Sequence, residues 1–226
     1  MDRPNRKQVA WLVLGLALGL LFMGQLRLAG IHQGALTPLA GYATPGYILI
    51  TVLFTVLLVR KGLPLNKLGF GIRPDLRQIM LVIAAIAILR LFAVAINPLM
   101  EELLGGARNL ERFSEVEGST ASLMALLFTN WTFAAFGEEL AYRIVLMRGI
   151  SFVLGDSRTG QIVALVLQAV MFGLVHAYQG PAGIAGSTIS GLVFGAVTIA
   201  GRRSIWPAAF AHGTNNTFGI IELYLG

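Results

Sequence analysis

The 226-residue chain is 56% hydrophobic and only 12% charged, against roughly a quarter charged in ordinary globular domains, and its mean hydropathy is +0.74. With apolar runs of about 20 residues recurring from end to end, this balance excludes an ordinary soluble fold and predicts an all-α, polytopic transmembrane bundle forming a single domain over residues 1–226. The net charge of +6 sits in short connectors and not on one helix face, so no nucleic-acid partner is expected; the absence of cysteine excludes disulfides, thiolate metal sites and a cysteine nucleophile.

In chain order, Arg3, Arg6 and Lys7 precede an apolar stretch from Val9 to Gly24. That is the charge layout of a secretory signal, but no small-x-small cleavage site follows, and the stretch is read as a retained first span. Hydropathy predicts seven spans, with six or eight as alternatives, at about 9–26, 43–59, 79–99, 120–149, 160–178, 182–200 and 204–224. A cytoplasmic N-terminus puts Arg60, Lys61, Lys67, Arg73 and Arg77 inside, then Arg148 and Arg158, then Arg202 and Arg203. The connector from Glu101 to Gly118 then falls outside, with Glu101, Glu102, Glu111, Glu115 and Glu117 against Arg108 and Arg112, as the positive-inside rule prefers. Gly15/Gly19 and Gly191/Gly195 form small-xxx-small pairs suited to close helix packing, and no internal repeat is visible.

The informative residues are those whose charge is costly at membrane depth, where a central Arg or Asp costs about 2.5–3.5 kcal/mol on insertion scales. Arg90 lies midway in the third span, Glu138, Glu139 and Arg143 in the fourth, His176 in the fifth and His212 in the seventh. Two acids thus face two arginines. Glu139 and Arg143 stand at i,i+4 with the acid first, the favoured order for an ion pair. Glu138, rotated about 100° around an α-helix, is left to face something else, with Arg90 expected to balance its charge. Gln168, Phe172 and His176 share one helical stripe, and His212 and Asn216 share another. At about 1.5 Å rise per residue, Glu138 lies roughly 18 Å and His176 roughly 24 Å above the 151–159 turn, Arg90 about 18 Å above Gln78 and His212 about 14 Å above Arg203. Helix tilt absorbs that spread, so these residues can meet. His32 falls in a loop and is read as incidental.

Three motifs occur in order over about residues 120–220: Glu138-Glu139-x-x-x-Arg143, Phe172-x-x-x-His176 and His212-x-x-x-Asn216. The set resembles the CAAX protease and bacteriocin-processing family of membrane proteins. Glu101-Glu102 also begins a Glu-Glu motif, but Gly106 stands where the arginine is required. The resemblance implies an intramembrane endopeptidase of the glutamate type, with Glu138 and His176 activating water, His212 and Asn216 stabilising the oxyanion, and Glu139, Arg143, Phe172 and Arg90 in support.

The chemistry is reasonable on its own terms. A carboxylate in a partly dry pocket can take a proton from water, and a preorganised His/Asn donor pair at a developing oxyanion is worth about 10²–10³ in rate. No cofactor is expected. Zinc is the alternative, because Glu138, His176 and His212 form a legitimate ligand set, although no H-E-x-x-H helix is present. The expected partners are the bilayer and a membrane-anchored protein or peptide substrate, and the expected location is the inner membrane of a prokaryote. Two further readings of the same residues are a non-catalytic scaffold or immunity factor and a transporter or proton pathway; the missing repeat counts against transport.

Overall fold

The computed structural model describes residues 5–30, 36–63, 69 and 74–226; Arg3, His32, Lys67 and Arg73 lie outside the described residues. All regular elements among the described residues are helical. They are α1 (Arg6–Ala29), α2 (Ala43–Arg60), α3 (Leu76–Ala95), α4 (Asn97–Leu103), α5 (Thr120–Thr129), α6 (Arg148–Val153), α7 (Arg158–Leu174), α8 (Gly180–Ala200) and α9 (Trp206–Leu225), with short 3₁₀ turns between some of them. Their starts follow local chemistry. Asn5, Asp75, Ser119 and Ser157 cap α1, α3, α5 and α7 by accepting from backbone N–H groups two or three residues on. α8 and α9 begin with a proline in the first turn, where its missing N–H costs nothing.

Four helical stretches are long and apolar enough to cross a membrane: Arg6–Ala29, Thr37–Arg60, Leu76–Ala95 and Ala177–Ala200. They coincide with the spans expected at 9–26, 43–59, 79–99 and 182–200, and the shorter apolar α7 falls on the span expected at 160–178. α3 leaves Ile79, Met80, Ile83, Ile88, Leu91 and Val94 exposed, an apolar face of the kind a lipid bilayer covers. The chain is a multi-pass membrane protein.

α5 and α6 are the ends of one continuous central helix. Between them, Asn130–Glu138 and Leu140–Met147 follow the wider π-helical pattern, in which N–H groups bond five residues back. Glu139, between the two stretches, keeps ordinary α-helical dihedrals of φ −64° and ψ −38°.

α7 packs along α8, α1 along α2, and α3 against α9. The expected close approaches are present: Gly15 and Gly19 meet Phe54 and Ile50 of α2, and Gly191 and Gly195 meet Ala169 and Leu165 of α7. A further one brings α1 against the end of α7, where a Cβ on Gly24 would lie 2.9 Å from the Val175 Cα.

The bundle has two chemically distinct ends. At one, Asp156 lies 2.9 Å from Arg148 and 3.7 Å from Arg203, Arg202 pairs with Asp75, and the Gln78 amide donates to the Gly201 carbonyl at 3.4 Å. This gathers the connectors that carry Arg77, Arg158, Arg202 and Arg203. At the other, the Asn109 N–H donates to the Gln179 carbonyl at 3.0 Å and the Gly118 N–H to the Tyr224 carbonyl at 3.1 Å, so the 104–119 connector closes over the ends of α7, α8 and α9.

Candidate active site

The central helix brings two adjacent glutamates into the interior and gives them different partners. Glu139 is completely buried, with Oε2 3.1 Å from Arg143 Nε and Oε1 2.8 Å from His212 Nδ1. Glu138 lies 3.7 Å from the guanidinium of Arg27 on α1, and both side chains are largely buried.

Arg143, also fully buried, has no well-directed hydrogen bond. Its charge is held instead by the Glu139 carboxylate and by three aromatic faces: Phe172 at 4.4 Å, Phe194 at 5.3 Å and Tyr142 at 5.8 Å from the guanidinium carbon. Desolvated cation–π contacts of this kind contribute about 2 kcal/mol.

Phe172 is the hub that fixes the two histidines. Its ring lies 4.7 Å from His176, 5.9 Å edge-on from His212 and 5.0 Å edge-on from Tyr142. Phe194 stacks on the other side of His212 at 4.7 Å. His176 does not continue the α-helical stripe expected through Gln168 and Phe172. α7 ends at Leu174, and a 3₁₀ turn over Ala177–Gln179 then leads to Gly180 at positive φ, where α8 starts. The His176 ring instead bonds back through Nδ1 to the Phe172 carbonyl at 2.6 Å.

These hydrogen bonds set the tautomers. A carbonyl or carboxylate only accepts, so both histidines carry hydrogen on Nδ1, which leaves Nε2 of each ring uncommitted. Glu138 and His176 are not hydrogen-bonded to each other; their partners are Arg27 and the Phe172 carbonyl.

Asn216 lies one turn beyond His212 on α9, half-buried and with no side-chain hydrogen bond among the described residues. Arg90 is not part of the cluster. Because α3 packs against α9, Arg90 meets Glu222 at 2.5 Å and lies over the Phe218 ring at 5.4 Å. The charge expected from it comes from Arg27, which the sequence reading missed by ending the first span at residue 26. A cation in the last turn of an apolar helix reads as an interfacial anchor unless its partner is known. Asn130 was also passed over; it donates to the Gly213 carbonyl at 2.9 Å and ties the central helix to α9 one residue from His212.

Glu138, His176 and His212, the set a zinc site would use, are not gathered as ligands: among the described residues no three His, Cys, Asp or Glu side chains stand close enough together to hold a metal ion. Beside Glu138, a cleft of about 280 Å³ runs between α2 and the central helix, lined by Tyr47, Thr51, Phe133, Phe136 and Gly137 among others. Tyr47 joins it to the glutamate through the Arg27 guanidinium, which lies 5.4 Å over its ring.

Residues 120–218 match the family model described as type II CAAX prenyl endopeptidase Rce1-like, in agreement with the motif resemblance. The match runs from α5 into α9 and includes Glu138, Glu139, Arg143, Phe172, His176, His212 and Asn216, whereas Arg27 and α1 to α4 lie outside it. No curated protein and no solved structure matches the chain.

Proposed function

Starting from a segment that matches the Rce1-like endopeptidases, we propose that the protein is an intramembrane endopeptidase of the glutamate type, hydrolysing a peptide bond in a membrane-associated protein or peptide. The observation that supports the reading is the gathering of Glu139, His176 and His212, from three separate elements, around the Phe172 and Phe194 rings, with Glu138 next to Glu139 on the central helix and paired with Arg27. Costly polar groups converge in this way where chemistry needs them.

In this mechanism Glu138 takes a proton from the attacking water and passes it to the leaving amine, with Arg27 orienting the carboxylate. His176 presents Nε2 as a second acceptor toward the same water, its ring fixed by the Phe172 carbonyl. The tetrahedral oxyanion is met by the Asn216 amide and by His212. With Nδ1 committed to Glu139, His212 donates from Nε2 when the ring carries both protons, its charge then facing the Glu139 carboxylate. Glu139 and Arg143 hold the ring and do no bond chemistry. A preorganised donor of this type is worth about 10²–10³ in rate where water is scarce.

Seven spans, with the basic connectors at the cytoplasmic face of a prokaryotic inner membrane, complete the reading. Protein reconstituted in liposomes is expected to cleave a membrane-anchored peptide, and Glu138→Ala is expected to abolish cleavage while unfolding at a temperature near wild type. Activity is expected to survive chelation. Loss on chelation and recovery with added zinc would replace the carboxylate mechanism with a metal one, and equal turnover by Glu138→Ala would end the assignment.

A further inference from the structure

Arg27 stands beside Glu138 without a directed hydrogen bond to hold it there. Its Nη1 lies 3.7 Å from Glu138 Oε1, longer than a hydrogen bond, and its buried Nε has no hydrogen-bond partner among the described residues. A guanidinium carries five N–H donors in a rigid fork. One that is largely buried and spends none of them on a close acceptor keeps its place through what it packs against.

That neighbour is Tyr47 on α2, whose ring lies 5.4 Å from the guanidinium carbon. The two helices touch at this level: a Cβ on Gly46 would lie 2.6 Å from Sδ of Met23, one turn before Arg27 on α1. Tyr47 is itself only 4% exposed, and its buried hydroxyl makes no hydrogen bond among the described residues. What the side chain offers Arg27 is therefore the face of its ring, which attracts a cation most strongly where water is excluded. The same side chain lines the cleft beside Gly137, the residue before Glu138.

We propose that Tyr47 is a positioning residue for hydrolysis: its ring fixes Arg27 beside Glu138 and so holds the carboxylate where it meets the attacking water. The proposal rests on the endopeptidase reading and deepens it. Arg27 and Tyr47 both lie outside the matched residues 120–218, so this role belongs to α1 and α2 and not to the three motifs.

The test measures kcat and KM for cleavage of a membrane-anchored peptide by full-length protein in liposomes, at a temperature where every variant remains folded. Tyr47→Leu is expected to lower kcat about 10-fold or more, the scale on which a desolvated cation–π contact acts, with KM within about 2-fold of wild type. Arg27→Met is expected to lower kcat at least as far, and the double variant to be no slower than Arg27→Met alone, since residues that act through one contact are not additive. Tyr47→Phe keeps the ring face and is expected to restore kcat to within about 3-fold of wild type. If Tyr47→Leu does not fold, Tyr47→Met replaces it in the same measurements, because an unbranched chain adapts to an irregular space. The assignment is overturned by a wild-type kcat in Tyr47→Leu, by losses that multiply in the double variant, or by a Tyr47→Phe protein as slow as Tyr47→Leu. A rise in KM alone also overturns it, because Tyr47 would then be a wall that touches the substrate. Thermal unfolding of the same proteins in detergent needs no substrate. Non-additive losses there, with no cleavage by wild type, remove the endopeptidase reading and keep Tyr47 as the residue that fixes the Arg27–Glu138 pair. Cleavage by Tyr47→Leu at the wild-type rate removes the role of Tyr47 and keeps the reading.

Discussion

Arg143 and Glu139 form a buried pair in which each charge depends on the other, and the consequence is measurable. Arg143→Met removes the cation and leaves Glu139 buried against His212 alone, which is expected to cost about 3–5 kcal/mol, the usual penalty for breaking a buried pair by one partner. Adding Glu139→Gln to that variant removes the stranded charge and is expected to recover a large part of the loss, read as thermal unfolding in detergent. Equal destabilisation by the single and the double variant would show that Arg143 matters for its packing against Phe172, Phe194 and Tyr142 and not for its charge. The Glu139–Arg143 contact was legible because both residues lie on one helix. Arg27 and the Arg90–Glu222 pair were not, because such partners are fixed by how α1 and α3 pack, and hydropathy carries no information about which helices touch.

At the scale of elements, hydropathy located the helices but not their winding. The π-helical stretches between Asn130 and Met147 leave no mark on composition. α7 stops two residues before His176, which the span expected to residue 178 places on the helix. The α1–α7 contact turns on Gly24, where any side chain meets the Val175 backbone. Gly24→Val is expected to destabilise the protein by about 1–3 kcal/mol through overpacking. Because α1 carries Arg27, the variant is also expected to lose hydrolysis beyond what its lowered stability explains at a temperature where it remains folded. A variant that is destabilised but fully active would show that Arg27 has no part in orienting Glu138.

For the molecule as a whole, the basic connectors meet at one end and the acidic 104–119 connector closes the other, a polarity that the charge distribution already implied. Asp156 is the junction of the basic end. Burial alone would raise its carboxyl, but the hydrogen bond from Ser151 and the charges of Arg148 and Arg203 outweigh this and hold it below the ordinary carboxylate value. Its contribution to stability is therefore present above the unfolded-state value of about 3.9 and is lost as pH falls through the lower folded-state value. Asp156→Asn is expected to be less stable than wild type at neutral pH and to show a shallower decline on acidification below about pH 4. Parallel stability curves would mean that Asp156 contributes nothing through its charge.

The central claim is that Glu138 and His176, brought from different elements, act on one water as a unit. Single-turnover hydrolysis of a membrane-anchored peptide by Glu138→Gln, His176→Ala and the double variant tests it most directly. Each single change is expected to lower the rate about 10²–10⁴-fold, the range for positioned acid–base groups, and the double variant to be no slower than the worse single one, since residues that act together are not additive. Rate losses that multiply in the double variant, or a Glu138→Gln protein that turns over as wild type does, would contradict the account.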